Sequence, residues 1–306
     1  MSGEHGVRKK TEINSARAWL VCLVMSLFFF YEFVQMNIFD SIAQDVLVDF
    51  SLSSTTVGYL ASMYFYGNFL MVIPAGMLLD RFSTKKIALV AMIVSTIATI
   101  VFSQTHALLL AQICRFMAGM GAGFCFLSNI RLASRWFSAN HLAFVTGVIV
   151  TMAMIGGMVA QTPMAVLAEH VGWRYAMLTN GLLGVLIIVL IGLIVRDQPA
   201  REEAHVETEH QHLKKYGVLH SLSFVIRGKN NWLGGFYTTL MNLPIFILGA
   251  LWGMTYLEQV RGISHAEASY VISMLFVGVI FGSPAFGWFS DKILSRRKPM
   301  LMGAIM

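Results

Sequence analysis

The chain has 306 residues, of which 57% are hydrophobic and only 12% are charged, and its mean hydropathy is +0.68. A soluble domain cannot enclose so many apolar side chains, so the composition excludes a water-soluble globular protein and indicates an integral membrane protein. The net charge of +6 does not indicate nucleic-acid binding, because basic residues of membrane proteins usually determine topology.

Eight apolar segments are each long enough to cross a bilayer as a helix. A hydrocarbon core about 30 Å thick requires roughly 20 apolar residues in helical conformation, and a helix satisfies its own backbone hydrogen bonds in lipid. The segments cover residues 18–40, 56–79, 86–104, 107–130, 142–167, 174–195, 232–257 and 267–287, and a ninth begins at Pro299. The sequence therefore predicts an all-α integral membrane protein.

Most of the basic residues collect on one face of the membrane. Of the 22 Lys and Arg residues, all except Arg115, Arg174 and Arg261 share a face if the N-terminus is cytoplasmic. Because loops rich in Lys and Arg stay in the cytoplasm, we predict a multi-pass protein of the cell inner membrane with a cytoplasmic N-terminus.

A motif that runs from a glycine to a group of cations occurs twice. Residues 76–86 read GMLLDRFSTKK, and residues 287–298 read GWFSDKILSRRK. Both copies join the second and third helices of a block on the predicted cytoplasmic face, which indicates a parallel internal repeat. The residues that the copies contribute are Gly76, Asp80, Arg81, Lys85 and Lys86 in the first, and Gly287, Asp291 and Arg296 in the second.

The first copy resembles the signature loop GxxxDRxGRRx of the major facilitator superfamily, with Ser83 at the second glycine and Thr84 at a basic position. Two further stretches support the resemblance. RFMAGMGAG at 115–123 is similar to the family's RxxQGxGAA segment, and GWRYA at 172–176 resembles its GWRxxF entry to the sixth helix.

The resemblance covers essentially the whole chain and implies the family's fold, in which two blocks of six helices rock about a site at the midplane. We expect a cytoplasmic N-terminus, a six-helix N-terminal bundle, a cytoplasmic central loop and the first two to three helices of a C-terminal bundle. These regions are residues 1–17, 18–195, 196–230 and 231–306. Since family members have twelve helices and this chain stops at LMGAIM in mid-span, we expect a C-terminally truncated member, a fragment of a larger gene product.

Asp80 requires a cationic partner. The second helix runs from outside to inside, so Asp80 lies at its C-terminal end, where the helix dipole repels a carboxylate. Arg81, Arg131 and Arg135 are the candidate partners. In the family such contacts latch the cytoplasmic side shut; the alternative is that the cations serve topology alone.

Glu32 and Arg115 are ionisable groups at membrane depth. Each costs roughly 2.5 to 3.5 kcal/mol near a helix centre, so such residues normally face a cavity or a partner. Glu32 is a candidate for proton coupling, since a buried carboxyl can load and release a proton as access alternates. It is alternatively a structural partner of Arg115 or of a tyrosine hydroxyl.

Arg115 matches the family's buried arginine in helix four, which implies a substrate-facing or proton-linked role. A guanidinium holds a carboxylate with two parallel hydrogen bonds, which favours an anionic or zwitterionic solute. A purely structural ion pair is an equal alternative.

Four further polar residues are candidates for the wall of a substrate cavity: Tyr59, Tyr66, Gln161 and Asn242. Tyr59 and Tyr66 are seven residues apart and share a helix face, which either lines a substrate path or packs between helices. Asn242 precedes Pro244, which frees backbone carbonyls and can break a helix beside a cavity.

The sequence contains no HExxH, GxxxxGK or nucleophile-elbow motif, so we predict no enzyme activity and no cofactor. His205, His210 and His212 lie among Glu and Lys in a polar stretch, which indicates a solvated surface rather than a metal site. The predicted partners are a small-molecule substrate, the lipid bilayer and protons, without nucleic acid.

The prediction is therefore a secondary active transporter that moves a small polar or anionic solute by alternating access, in symport with protons. An organic anion, a sugar acid, an amino acid and a short peptide all fit. The alternatives are a non-transporting receptor or partner protein on the same scaffold, and an inactive fragment.

Overall fold

The computed structural model describes residues 15–198, 227–251, 253–295 and 297–305, and within these ranges the chain is helical and has no strand. The helices of the first part are α1 Ser15–Asp49, α2 Ser54–Arg81, α3 Thr84–Gln104, α4 Leu108–Trp136, α5 Leu142–Gln161, α6 Pro163–Val171 and α7 Trp173–Ile194. Those of the second part are α8 Lys229–Phe246, the π-helical turn Ile247–Leu251, α9 Gly253–Arg261, α10 His265–Lys292 and α11 Arg297–Ile305.

Eight stretches of the described chain are long and apolar enough to cross a membrane, with lengths from 21 to 34 residues. They correspond one by one to the eight predicted segments. The prediction of an all-α, multi-pass membrane protein is confirmed.

Three helix boundaries differ from the prediction. The first helix continues from residue 40 to Asp49 and ends before Ser51, whose φ of 52° lies in the left-handed region. The fifth span is divided at Thr162, because Pro163 has no N–H to continue the α5 hydrogen bonds and instead begins α6. The seventh span changes to a π-helical turn three residues after Pro244.

The first six spans form one bundle. α2 lies along α4, α3 packs against α4 and α7, and α1 packs against α5, α7 and α4. α10 packs along α5, so the second block is attached to the first through this helix pair.

Small residues allow α2 and α4 to meet backbone to backbone. A Cβ atom at Gly67 would overlap the carbonyl oxygen of Phe116, and a Cβ at Gly119 would overlap that of Tyr64. Close approach of this kind drives helix association in membranes, because lipid tails and apolar side chains are equally hydrophobic. Tyr64 is thereby brought against α4.

A matched pair of substitutions in α2 tests this contact. Gly67→Ala forces the two backbones apart and should lower the stability of the detergent-solubilised protein by about 1–3 kcal/mol. Gly58→Ala is the control, since no atom lies within 4 Å of a Cβ at that position. Thermal denaturation of both variants gives the comparison, and equal midpoints would contradict the described contact.

Candidate functional site

Glu32 lies inside the first bundle and is 1% exposed. Ser95 of α3 donates a hydrogen bond of 2.6 Å to Glu32 Oε1, and the hydroxyl of Tyr64 on α2 lies 3.1 Å from Glu32 Oε2. The Tyr64 hydroxyl also lies 3.0 Å from the carbonyl oxygen of Glu32. Two uncharged donors from two neighbouring helices therefore solvate this carboxyl group.

Arg115 of α4 is also buried, with 2% exposure, and it does not form an ion pair with Glu32. Its NH1 donates a hydrogen bond of 3.0 Å to the carbonyl oxygen of Gln35 on α1. The guanidinium lies 4.8 Å from the ring centroid of Phe39 and 4.9 Å from that of Tyr64, so cation–π interactions stabilise its charge. Its Nε has no hydrogen-bond partner among the described residues, which leaves donor capacity unused.

We call Glu32, Tyr64, Ser95 and Arg115 the Glu32–Arg115 cluster. The sequence left Arg115 and a tyrosine hydroxyl as alternative partners of Glu32. A tyrosine hydroxyl contacts Glu32, whereas the direct salt bridge between Glu32 and Arg115 is not formed. The two charged groups lie near each other but are each bound by neutral groups. Chemically, the carboxyl can exchange a proton, and the guanidinium can donate a further hydrogen bond to an acceptor oxygen.

A second polar group fixes α1 against α3. The amide of Gln35 donates to the hydroxyl of Tyr31 at 2.7 Å and also contacts Thr99. Thr99 in turn donates to the carbonyl oxygen of Ser95 at 2.8 Å. These bonds fix the position of Gln35 along α3, next to Ser95. The carbonyl oxygen of Gln35 is the one that binds Arg115.

A small cavity of about 20 Å³, close to the volume of one water, lies where α1, α5, α8 and α10 meet. Asn37 of α1 and Asn242 of α8 are the two amides in its wall. Asn37 is fully buried and its Oδ1 has no partner among the described residues. The remaining lining residues are apolar: Phe33, Met36, Met154, Ile245, Phe246 and Phe276.

The structure separates the four predicted cavity residues into two groups. Asn242 lines the cavity, and Gln161 is buried beside the π-helical turn, where it donates to the carbonyl oxygen of Gly249 at 3.2 Å. Tyr59 and Tyr66 share a face of α2 as predicted, but they are 57% and 55% exposed and do not line this cavity. Tyr64 is the tyrosine of α2 that points inward.

The first copy of the glycine-to-cation motif makes contacts within the first bundle. Asp80 forms an ion pair with Arg131 of α4, one of the three predicted partners. Arg135 instead donates to Thr84 Oγ1 at 3.4 Å. Arg81 is exposed, and no described atom lies within 4 Å of a Cβ at Gly76, so close helix approach at Gly76 is not seen in the described part of the chain.

Lys85 and Lys86 lie in the first turn of α3, and the backbone N–H groups of this turn are capped. Asp197, which follows α7, accepts from the Lys85 amide at 2.7 Å and from the Ser83 hydroxyl. The Lys86 amide donates to Ser83 Oγ at 3.2 Å. Lys85 Nζ donates to the carbonyl oxygen of Gly192 near the C-terminus of α7 at 2.7 Å, so the N-terminal end of α3 is joined to the C-terminal end of α7.

The second copy contacts the first bundle. Asp291 Oδ2 accepts the backbone N–H of Phe144 at 2.8 Å, in the first turn of α5, where the helix dipole favours a carboxylate. A Cβ at Gly287 would lie 2.5 Å from the carbonyl oxygen of Ala143, so glycine permits this approach. Arg296, like His205, His210 and His212, lies outside the described residues.

The glycine-to-cation motifs, although similar in sequence, are therefore used differently. Asp80 joins α2 to α4 of the same bundle, whereas Asp291 joins α10 to α5 across the two blocks. Along the same helix pair, Thr151 donates to the carbonyl oxygen of Ile280 at 2.9 Å, and a Cβ at Gly147 would lie 2.5 Å from that of Ser283. We call this contact line the α5–α10 seam.

Sequence reasoning did not identify Tyr64, Ser95, Asn37 or Asp197. Ser95 and Asn37 are small uncharged polar residues in apolar segments, where such residues often bond to their own helix. Tyr64 carries a weak signal, because Gly67 follows one turn later and indicates the helix face that meets another backbone. Asp197 lies in a polar stretch that does not distinguish a cap from a solvated residue.

The Asp197 cap generates a testable prediction. Asp197→Ala removes the acceptor of the Lys85 amide in the first turn of α3 and should lower stability by about 1 kcal/mol, the usual cost of a lost cap. Arg196→Ala is the control, since it truncates an adjacent exposed side chain and leaves the cap in place. If chemical or thermal denaturation finds the two variants equally stable, Asp197 is not a stabilising cap.

Comparisons with known proteins agree with this architecture. SauU of Cupriavidus necator, a probable sulfoacetate transporter, is 22% identical over an alignment that covers 89% of this chain and 65% of SauU. The membrane sensor protein UhpC of Salmonella typhimurium is 24% identical, with coverages of 86% and 62%. The chain therefore spans less than two thirds of the length of both relatives.

A solved structure shares the fold. The proton:xylose symporter XylE, bound to 6-bromo-6-deoxy-D-glucose, aligns with a TM-score of 0.66 at 14% identity, over 92% of this chain and 70% of XylE. The sequence profile of the Major Facilitator Superfamily matches residues 21–306. From the first span to the end of the sequence, the chain belongs to the major facilitator superfamily.

Proposed function

We propose that the chain is part of a secondary active transporter of the inner membrane that carries a small organic anion by alternating access, in symport with protons. The N-terminus is cytoplasmic in this proposal, because the Lys and Arg residues collect on that face. The observation that carries the proposal is the Glu32–Arg115 cluster, in which a buried carboxyl and a buried guanidinium are not bonded to each other.

Arg115 is the proposed anion-binding group. A buried cation without a paired carboxylate is costly unless a ligand completes its coordination, and its Nε is unused. Carboxylate, sulfonate and phosphate groups all fit a guanidinium fork. The similarity to a probable sulfoacetate transporter supports this class of solute, since sulfoacetate is a small anion of this kind.

Glu32 is the proposed proton-binding group. Its partners Ser95 and Tyr64 are hydroxyl groups, which can stay bonded to the carboxyl group whether it is ionised or protonated. A change in the charge of Glu32 therefore leaves no buried polar atom of this group without a hydrogen-bond partner. Tyr64 also contacts Arg115 through its ring, which places one residue between the proton site and the anion site.

The cavity between the blocks is the proposed path of the solute. Asn37 belongs to the predicted N-terminal bundle of residues 18–195, and Asn242 to the predicted C-terminal bundle of 231–306, joined by the loop 196–230. Amides on both sides can bind a polar solute while the blocks rock about it. The volume of about 20 Å³ is too small for an organic acid, so transport requires the blocks to move apart.

The first experiment is uptake of labelled sulfoacetate and a panel of small carboxylates and sulfonates by cells that produce the complete gene product. Saturable uptake that a protonophore abolishes is the expected result. Saturable uptake that the protonophore does not reduce would contradict proton coupling. Absence of uptake for every anion in the panel would contradict the proposed substrate class.

Glu32→Gln tests the proton site. The neutral amide cannot load or release a proton, so accumulation of sulfoacetate driven by an imposed pH gradient should be lost, whereas exchange of internal for external solute should continue. Vesicles with Glu169→Gln, an exposed carboxylate on α6, are the control. Gradient-driven accumulation that survives in Glu32→Gln would exclude Glu32 as the coupling residue.

Arg115→Lys tests the anion site. Lysine keeps the positive charge but loses the planar fork, so the KM for sulfoacetate uptake should rise about tenfold, the equivalent of one charge-assisted hydrogen bond. Arg17→Lys, at an exposed position of α1, is the matched control. An unchanged KM would leave Arg115 with a structural role.

Asp291→Asn and Asp80→Asn test the proposed latches on the cytoplasmic side. Both proteins should insert normally, and loss of the Asp291 charge at the α5 N-terminus should slow uptake about two- to fivefold, because it destabilises a contact between the blocks. Asp80→Asn should have the smaller effect, since the Asp80 ion pair lies within one bundle. The measurement is the initial rate of uptake at equal amounts of transporter in the membrane. A wild-type rate in Asp291→Asn would contradict the role of Asp291 as a latch.

A sensor is the second candidate function, because the sensor UhpC matches the chain about as closely as SauU. In this alternative the cluster binds an anion and the blocks signal the occupied state without completing a transport cycle. Tight binding of sulfoacetate to the purified complete protein, without uptake into vesicles, would favour the sensor.

A further inference from the structure

Ser95 lies between two acceptors on different helices. Its Oγ is 2.6 Å from Glu32 Oε1 on α1 and 3.0 Å from the carbonyl oxygen of Ala118 on α4. Ser95 itself is fully buried on α3. Because a serine hydroxyl carries one proton, it donates to only one of these two oxygens at a time.

The charge of Glu32 decides which oxygen receives the bond. When Glu32 is ionised, the charge-assisted bond to its carboxylate is roughly twice as strong as a bond to a neutral carbonyl, and the 2.6 Å separation is typical of it. When Glu32 is protonated, its own O–H can donate to Ser95 Oγ, and the Ser95 proton is then available to Ala118. No proton leaves Ser95 in either state; only the direction of its O–H bond changes.

Helix α4 packs closely against α3 at Ser95. A Cβ at Gly121 would overlap Ser95 Oγ and would lie 2.8 Å from the carbonyl oxygen of Ala91, so α4 lies directly against α3 at this height. Tyr64 differs from Ser95, because both of its acceptors, the carbonyl and the carboxyl of Glu32, belong to α1. Tyr64 therefore does not move a hydrogen bond from one helix to another.

We propose that Ser95 is a positioning residue that transmits the protonation state of Glu32 on α1 to α4, by donating to the carboxylate in one state and to the Ala118 carbonyl in the other. The inference rests on the proposed function, in which Glu32 binds the transported proton. Ala118 lies three residues after Arg115, so the bond changes within one turn of the proposed anion site. Ser95 thereby links proton binding to the helix that carries the anion-binding group.

Four other titratable groups interact with Glu32 or lie beside it in the described structure. They are Tyr64 from α2, Arg115 and Cys125 from α4, and Tyr31 from α1 itself. All four remain when the Ser95 hydroxyl is removed. A Ser95 variant therefore changes one polar contact of the carboxyl group and none of its charged neighbours.

Infrared titration of the complete gene product in lipid nanodiscs tests the first half of the proposal without any substrate. A protonated carboxyl has a C=O band that the carboxylate lacks, and Glu32→Gln identifies the band that belongs to Glu32. In Ser95→Ala the midpoint of this band should move to higher pH by roughly one unit, because the carboxylate loses a hydrogen bond that favours its ionised form.

Ser103→Ala is the matched control for this titration. Ser103 is fully buried on the same helix, and its hydroxyl donates to the carbonyl oxygen of Ile100 in its own helix at 2.7 Å. The midpoint should stay at the wild-type value in this variant. If Ser95→Ala does not reach the membrane, Ser95→Cys, which has similar volume and a weaker donor, replaces it and should shift the midpoint in the same direction.

Hydrogen–deuterium exchange of the α4 peptide that contains residues 118–122 tests the second half. At matched pH values on either side of the Glu32 midpoint, exchange of this peptide should differ between the two protonation states in the wild type and equally in Ser103→Ala. In Ser95→Ala this difference should be absent, because α3 no longer has a hydroxyl to offer to Ala118.

The possible results separate this inference from the proposed function. A Glu32 band that titrates identically in Ser95→Ala and Ser103→Ala would overturn the role of Ser95 and leave Glu32 as a proton site. If no titrating band disappears in Glu32→Gln, proton binding at Glu32 is itself wrong and the inference falls with it. A shifted midpoint together with the lost α4 response supports the transmission.

Discussion

The carboxyl group of Glu32 must be solvated by the protein, since its side chain is 1% exposed at membrane depth. Tyr64 and Ser95 provide that solvation, and both must be brought to α1 by neighbouring helices. Tyr64 reaches it because Gly67 and Gly119 let α2 and α4 meet backbone to backbone. The positions of α2 and α3 beside α1 therefore provide the hydrogen bonds that the buried carboxyl group of Glu32 requires.

Arg115 extends the same constraint to a positive charge. A direct ion pair with Glu32 would neutralise both groups and fix them, as buried salt bridges often do. The chain instead uses two aromatic rings and a backbone carbonyl to hold the guanidinium. The carboxyl and the guanidinium are thereby separately available, as the proposed symport of a proton and an anion requires.

The fold could be predicted further than the site, for a physical reason. Lipid forces every spanning segment to satisfy its own backbone, so the eight apolar segments correspond to eight helical spans. Glu32 and Arg115 could be identified because charges stand out in apolar segments. The sequence did not indicate that Tyr64, rather than Tyr59 or Tyr66, is the buried tyrosine of α2, since aromatic side chains occur both at the membrane surface and in protein cores.

Repetition in the sequence did not imply repetition of contacts. The motif predicts similar surroundings for Asp80 and Asp291, yet the nearby arginine of α4 pairs with Asp80, and the N-terminus of α5 receives Asp291. Which group lies opposite each carboxylate depends on helix packing, which motif spacing does not encode. Asp197 illustrates the same limit, because its role as a cap exists only once α7 has packed beside α3.

The α5–α10 seam has a consequence for kinetics. At Gly147 and Gly287 backbone lies against backbone, so no side chain separates the two helices at these two positions. If the blocks rock as proposed, helices in such contact at these positions can move over one another without rotamer changes there, which lowers the activation barrier of that motion. Enlarging a seam glycine would then alter how often the protein interconverts while leaving the intrinsic affinity of each conformation for its solute intact.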